Sequence, residues 1–196
     1  SSDQNFVAAN SAGTVISAGG LGKLDAITLR KVRSGKIASV TPFFSETSEG
    51  LGGSASTKDL ETLFQLIYLT VTQPRADANM FNVLTTQMKS MLANQTSTPA
   101  WAFREVLQTT LSQNHLRARP MTPALVEEMS LEKSLAFYKD RFADASDFTF
   151  VFVGSFDLEA MKPLVERYLG SLPSIHRKET WKDVGIRPPK GVVEKT

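Results

Sequence analysis

The chain has 196 residues, with 22 basic and 20 acidic side chains for a formal net charge of +2, no cysteine and 41% hydrophobic residues. That length suits one domain, or one domain with a tail, and can hold a core without staples. Near-balanced charge argues against a nucleic-acid binder, and the lack of cysteine excludes a disulfide framework, a thiolate nucleophile and any cysteine metal site.

No apolar run approaches the ~20 residues needed to cross a bilayer, so no membrane span is expected. The start, Ser-Ser-Asp-Gln-Asn, lacks the basic and apolar regions of a signal peptide, as would a mature chain or an excised fragment. Asn5 to Ile16 carries Phe6, Ala9, Gly13 and Ile16 near helical spacing among small residues, which predicts a helix packed closely on a neighbour. Gly19-Gly20-Leu21-Gly22 breaks it. Asp25 to Arg33 reads as a short helix capped by Asp25, with Leu24, Ile27, Leu29 and Val32 as its apolar contacts. Lys36 to Ser45 is an expected strand that Pro42 places at an edge or bulge. Glu46 to Gly50 turns the chain into a second strand, Leu51 to Ser56.

Ser56-Thr57-Lys58-Asp59 matches a capping box and opens a helix with Leu60, Leu63, Phe64, Leu66, Ile67 and Val71 on its buried face, closed by Pro74. Further helices are expected at Asp77 to Asn94, from Thr98-Pro99 to about Gln113, from Thr122-Pro123 to Met129, and from Ser130 to Phe142. Phe148 to Val153 is a nearly unbroken β-branched and aromatic run, as in a strand covered on both faces. Asp157 then caps a helix with Leu158, Met161, Leu164, Val165, Tyr168 and Leu169 as its stripe. Gly170 suits a left-handed stop, and Pro163 predicts a kink or an irregular first turn. Ser174 to Thr196 is polar and proline-rich, so the expected organisation is a body at 1–173 and a linker or extended arm at 174–196. Helices outnumber strands and few strand pairs are joined by one crossover helix, which points to an α+β fold with a mostly antiparallel sheet. Three strands are thin for so many helices, a sign that strands are missing on the N-terminal side.

Few residues offer chemistry. His115 and His176 are the two histidines, 61 positions apart in expected loops, without the paired spacing of a helical zinc motif. They read as solvated loop residues, and a hydrolase using His115 would need direct proof. Gly52-Gly53-Ser54-Ala55-Ser56 lacks the second glycine of a nucleophile elbow. Gly50-Leu51-Gly52-Gly53-Ser54 lacks the ending of a phosphate loop, and its glycines are better read as permitting a bend or a close backbone approach. Asp144, Asp147 and Asp157 read as caps and turns. Arg117 and Arg119 form a small basic loop, either solvated or touching an anion or peptide carboxylate.

Three stretches together resemble one repeat of the pitrilysin/insulinase family of zinc metallopeptidases. They are Glu49-Gly-Leu-Gly-Gly-Ser-Ala-Ser-Thr-Lys-Asp-Leu with the helix after it, Pro74-Arg75 with Asp77, and Phe137 through Asp157 continuing to Leu172-Pro173. An active repeat of that family carries His-x-x-Glu-His on a helix and a further glutamate about 75 residues on. The corresponding helix here, Phe6 to Gly20, has neither histidine nor glutamate, and no glutamate lies between Glu61 and Glu105. The resemblance therefore implies a degenerate, non-catalytic repeat with no catalytic residue, cofactor or metal ligand of its own. Zinc is expected in the active repeat of a longer parent polypeptide. It further implies N-terminal strands absent from this chain, partners among the other repeats or a paired peptidase subunit, an unfolded peptide as substrate, and the bacterial periplasm as location. The alternative is a stand-alone scaffold subunit beside a separate active chain.

Overall fold

Helix α1 (Phe6–Ala18) runs through the middle of the core in the computed structural model, which describes residues 2–194. Its face is made of small residues, with Ala8, Ala9, Ser11, Ala12 and Gly13 all buried beside Val15 and Ile16. Small side chains bring a neighbouring backbone close. Helix α7 (Leu131–Arg141) takes that place, and its buried Ser134 hydroxyl donates 2.9 Å to the Ala8 carbonyl. The close-packed helix expected from the sequence is thus observed, two residues longer at its C-terminal end.

The other helices follow the expected order. α2 (Ala26–Val32) is capped by Asp25, whose carboxylate accepts from the Thr28 N–H at 2.7 Å. Ile27 and Val32, expected as its apolar contacts, are instead exposed. α3 (Leu60–Thr72) buries Leu63, Phe64, Leu66, Ile67 and Val71 as read from their spacing. α4 (Ala78–Gln95), α5 (Pro99–Leu111) and α6 (Pro123–Glu127) are capped by Asp77, Thr98 and Thr122, each side chain accepting from a backbone N–H three residues on. Proline at the first position of α5 and α6 costs no hydrogen bond, because that N–H has no partner within the helix.

The cap of α3 differs from the expected box. The Ser56 hydroxyl donates to the Asp59 carboxylate at 2.6 Å, and that carboxylate also accepts from the Ile37 N–H at 2.9 Å. Asp59 is thus spent on tying the helix start to the strand before it. The Ser56 hydroxyl, backed by the Ile37 N–H, holds its carboxyl below the usual range, against the opposing effect of burial.

Tyr138 closes the other end of α3. The Thr70 carbonyl would accept from the N–H of residue 74 in a continuing helix, but residue 74 is proline and has none. The buried Tyr138 hydroxyl donates to that carbonyl at 2.9 Å instead. Burial holds this phenol protonated far above its ordinary pKa.

Strands β1 (Ala38–Phe44) and β2 (Glu49–Ala55) pair antiparallel, with Ala38 opposite Ala55 and Phe44 opposite Glu49. They form the only sheet among the described residues. Of the glycines in β2, Gly53 needs its lack of a side chain most. A Cβ there would lie 2.9 Å from the Ser39 carbonyl and 3.1 Å from the Leu63 side chain of α3. The close-approach reading of this glycine run therefore holds at Gly53, while Gly52 faces open space.

The architecture is α+β, yet the third expected strand does not form. Phe148 to Val153 makes no sheet pairing, and Val151 and Val153 are 77% and 94% exposed. A buried strand needs hydrogen-bonding neighbours on its edges, and no described residue supplies them. The helix after it begins with a regular turn: α8 (Leu158–Leu164) is capped by Asp157, which accepts from the Ala160 N–H at 2.8 Å. Irregularity follows Pro163 rather than preceding it, as a π turn over Val165–Leu169. Gly170 is not left-handed, with φ of −64°. It is held to glycine by crowding, since a Cβ would lie 2.7 Å from the Glu166 carbonyl.

Candidate functional site

The residues singled out for chemistry are dispersed and already engaged. His115 accepts from the Arg117 N–H at its Nδ1 and lies 2.9 Å through Nε2 from the Val184 carbonyl, a pairing that suits the tautomer with its hydrogen on Nε2. His176 is exposed, has φ of +53°, and sits 3.5 Å from the Ser174 hydroxyl. Among the described residues no group of three or more His, Cys, Asp or Glu is placed to hold a metal. Arg117 donates to Asp3 at 2.7 Å and lies over the Phe6 ring, while Arg119 makes a bidentate pair with Glu128 at 2.7 and 2.8 Å. The basic loop is therefore engaged within the fold instead of presented to an anion. Asp157 is a cap, and Asp147 is exposed.

Asp144 has a different part. It is buried, and its carboxylate accepts from the N–H groups of Ser146, Ile175 and Arg177 at 3.0, 3.0 and 2.5 Å. Burial pushes its pKa up, but the three N–H donors outweigh that and hold it well below the usual carboxylate range. Two of those donors belong to the expected arm, so Asp144 is the point at which residues 174–194 are fastened to the body. Charge pairs extend the attachment. Arg141 on α7 is pinned between Glu49 of β2, at 2.5 and 2.6 Å, and Glu179 of the arm, and Arg177 pairs with Asp140 at 2.9 Å. Further on, His115 holds the Val184 carbonyl and the Gln113 amide donates to the carbonyls of Arg187 and Pro188. Polarity of the arm was legible in the sequence; its pairing across 30 to 75 positions was not.

The arm and the unpaired segment border one large groove of 1720 Å³. Its floor comes from the first turns of α1, from Leu63 and Ile67 of α3, and from Met161 of α8. The β-hairpin lines it through Val40, Leu51 and Gly53, the segment from Thr149 to Phe156 lines it too, and Trp181 of the arm stands at it. Cavities for small ligands run to about 300–1,000 Å³, so this volume suits a polypeptide better. A second exposed feature lies on α5, where Phe103, Val106, Leu107 and Leu111 fall on one side and are all exposed. Glutamine and threonine between them kept this stripe inconspicuous in the sequence.

A family model described as "Peptidase M16 inactive domain" matches residues 128–195, from the end of α6 through α7, the unpaired segment, α8 and the arm. The Escherichia coli protein named "Probable zinc protease PqqL" is 25% identical over 161 residues, 82% of this chain and 17% of PqqL. The crystal structure of the periplasmic protease PqqL from Escherichia coli aligns with a TM-score of 0.73 at 23% identity, covering 94% of this chain and 21% of that one. The ferredoxin protease FusC, solved in complex with Arabidopsis ferredoxin, aligns at 0.71 and 16% identity, over 94% of this chain and 21% of FusC. A protease from Helicobacter pylori aligns at 0.70 and 11% identity, over 93% of this chain and 45% of that one.

The fold is thus one that occurs within these larger proteases. Residues 128–195 match the M16 inactive-domain model and most of the chain is similar to PqqL, in agreement with the pitrilysin/insulinase resemblance. It spans about a fifth of the length of PqqL and FusC.

Proposed function

We propose that this chain is a non-catalytic peptidase-like domain of a longer zinc metalloendopeptidase, which packs against the active repeat and helps enclose the peptide substrate. The carrying observation is the match of residues 128–195 to the inactive M16 domain. It is joined to a helix α1 whose face is alanine, serine, glycine and valine where an active repeat would present metal ligands. The exposed apolar side of α5 is the kind of surface that a neighbouring repeat would cover. A protein or unfolded peptide is the substrate class this reading implies. FusC, with its ferredoxin partner, supports it by analogy.

Zinc belongs to the active repeat in this reading. If a metal bound here, it would need ligands that α1 does not possess. PqqL is described as periplasmic, and by that likeness the periplasm is the compartment we assign. Metal analysis of the purified 196-residue chain tests the reading: it should contain no stoichiometric zinc and cleave no peptide. Zinc at one per chain together with hydrolysis would overturn it.

A second reading is a separate scaffold subunit that pairs with an active chain. The Helicobacter pylori protease favours it, because this domain covers 45% of that chain against 21% of PqqL, so much shorter polypeptides carry the fold. The length of the native reading frame separates the two. A His-x-x-Glu-His repeat in the same frame supports the first, and a short frame supports the second.

A further inference from the structure

Positive charge is concentrated in one stretch of the chain. Residues 23–37 carry five of the 22 basic side chains and one of the 20 acidic ones, so the remainder is net acidic. Lys23, Arg30, Lys31 and Lys36 are exposed. Lys36 lies 3.5 Å from Asp59, and among the described residues Lys23, Arg30 and Lys31 make no ion pair. The one acid of the stretch, Asp25, is spent on the cap of α2. Between these cations stand three aliphatic side chains, Ile27, Val32 and Ile37, at 60%, 63% and 65% exposure. A single exposed aliphatic residue is ordinary, but three in so short a stretch, interleaved with free cations, form a patch.

The patch is held in place from beneath and at its end. Leu29 of α2 packs on the cluster of Ala38, Leu63, Leu66 and Ile67. After the helix, the Ser34 and Lys36 N–H groups donate to the carbonyls of Lys31 and Arg33 at 3.0 Å each, and Gly35 turns the chain with φ of +78°. The Arg33 guanidinium crosses this turn to donate to the Ala38 carbonyl, and the Ile37 N–H donates to Asp59 at 2.9 Å. Arg33 is therefore turned inward, and the loop that displays Val32 and Ile37 is closed on itself. A surface ordered in advance leaves a partner less conformational entropy to remove.

We propose that α2 and the loop after it form a docking surface for an acidic polypeptide segment, one with apolar side chains set among its aspartates and glutamates. Charge complementarity selects the sign of the partner, since three of the cations make no ion pair within the described fold. The aliphatic residues select its class. A membrane-binding helix gathers its apolar side chains on one face and its cations on the other, whereas Ile27, Val32 and Ile37 alternate with Arg30, Lys31 and Lys36, and α2 has only seven residues. Single-stranded nucleic acid takes aromatic platforms, and residues 23–37 contain no aromatic side chain. A polypeptide supplies carboxylates and apolar groups side by side. The inference does not depend on the proposed function and holds for either reading of it.

Fluorescence anisotropy of a fluorescein-labelled peptide of repeated Glu-Leu-Asp-Val units, titrated with the 196-residue chain, tests it. The expected result is saturable binding that weakens about tenfold in Arg30→Gln with Lys31→Gln and about fivefold in Ile27→Ser with Val32→Ser. The same peptide with glutamine and asparagine in place of its acids should not bind. All four substituted positions are exposed, so the far-ultraviolet signal of both variants should match that of the parent chain. An absence of saturable binding overturns the surface, and so does binding that survives both double substitutions. Loss in only one of the two variants leaves charge attraction or apolar contact alone and overturns the joint recognition. Binding of phosphatidylglycerol vesicles that is lost in the same variants, without binding of the peptide, overturns it in favour of a membrane surface.

Discussion

Tyr138 shows how one side chain repairs a backbone defect made elsewhere. Proline at position 74 stops α3 but deprives the Thr70 carbonyl of its donor, and the Tyr138 hydroxyl replaces it. Tyr138→Phe keeps the ring contacts with Phe44 and Phe142 and leaves a buried carbonyl unsatisfied. It should lower unfolding free energy by about 1–2 kcal/mol in urea denaturation. A raised native pKa makes this phenol stabilise the fold below its ordinary value of 10.0. That contribution is lost progressively as pH rises from there toward the higher native value, so one of the three tyrosines should ionise together with alkaline unfolding, read by its near-ultraviolet absorbance. Gly20 is the second diagnostic position. It has φ of +93°, and a Cβ would lie 2.2 Å from the Leu24 carbonyl. Gly20→Ala should cost more than ~1 kcal/mol by the same measurement.

The arm is an element whose order depends on one carboxylate. Asp144 has a depressed native pKa, so the attachment it makes is fully present above the ordinary aspartate value of 3.8 and is lost as pH falls from there toward the native value. Proteolysis within residues 174–194 should accordingly be slow at neutral pH and rise in acid. Asp144→Asn keeps the size but loses charge-assisted acceptance from Ile175 and Arg177. It should make the arm protease-sensitive at neutral pH while the far-ultraviolet signal of the helices remains. The caps at Asp25, Thr98, Thr122 and Asp157 and most helix bounds were legible because they depend on neighbours within four residues, and the hairpin because its two strands are adjacent in the chain. Phe148–Val153 was legible as strand-forming but not as unpaired, since pairing depends on what stands beside it. Proline 163 was legible as a disturbance, yet its effect falls after it, where Val165–Leu169 relaxes into a π turn.

Across the molecule, the groove and α5 each carry a patch of exposed apolar side chains. Phe103→Glu with Leu107→Glu on α5 should change the stability of the 196-residue chain by less than ~0.5 kcal/mol, because neither residue is buried there. The same pair should weaken association of this domain with the remainder of a longer polypeptide, read by co-purification of the two parts. An unchanged yield of the pair would assign α5 to solvent.

The residues by themselves determined the helical plan, the capped boundaries, the hairpin and the lack of metal-ligating side chains on α1, all of which follow from local spacing and side-chain type. The tertiary structure decided where the polar residues were committed: Asp144 and Arg141 to the arm, His115 to Val184, Arg119 to Glu128. It also decided that Phe148–Val153 stands with its hydrogen bonds open. Those polar contacts join residues 9 to 69 positions apart. Sequence spacing specifies which groups can bond, but the packing of α1 against α7 and of the arm against α7 and the Gln113–His115 loop decides which of them meet.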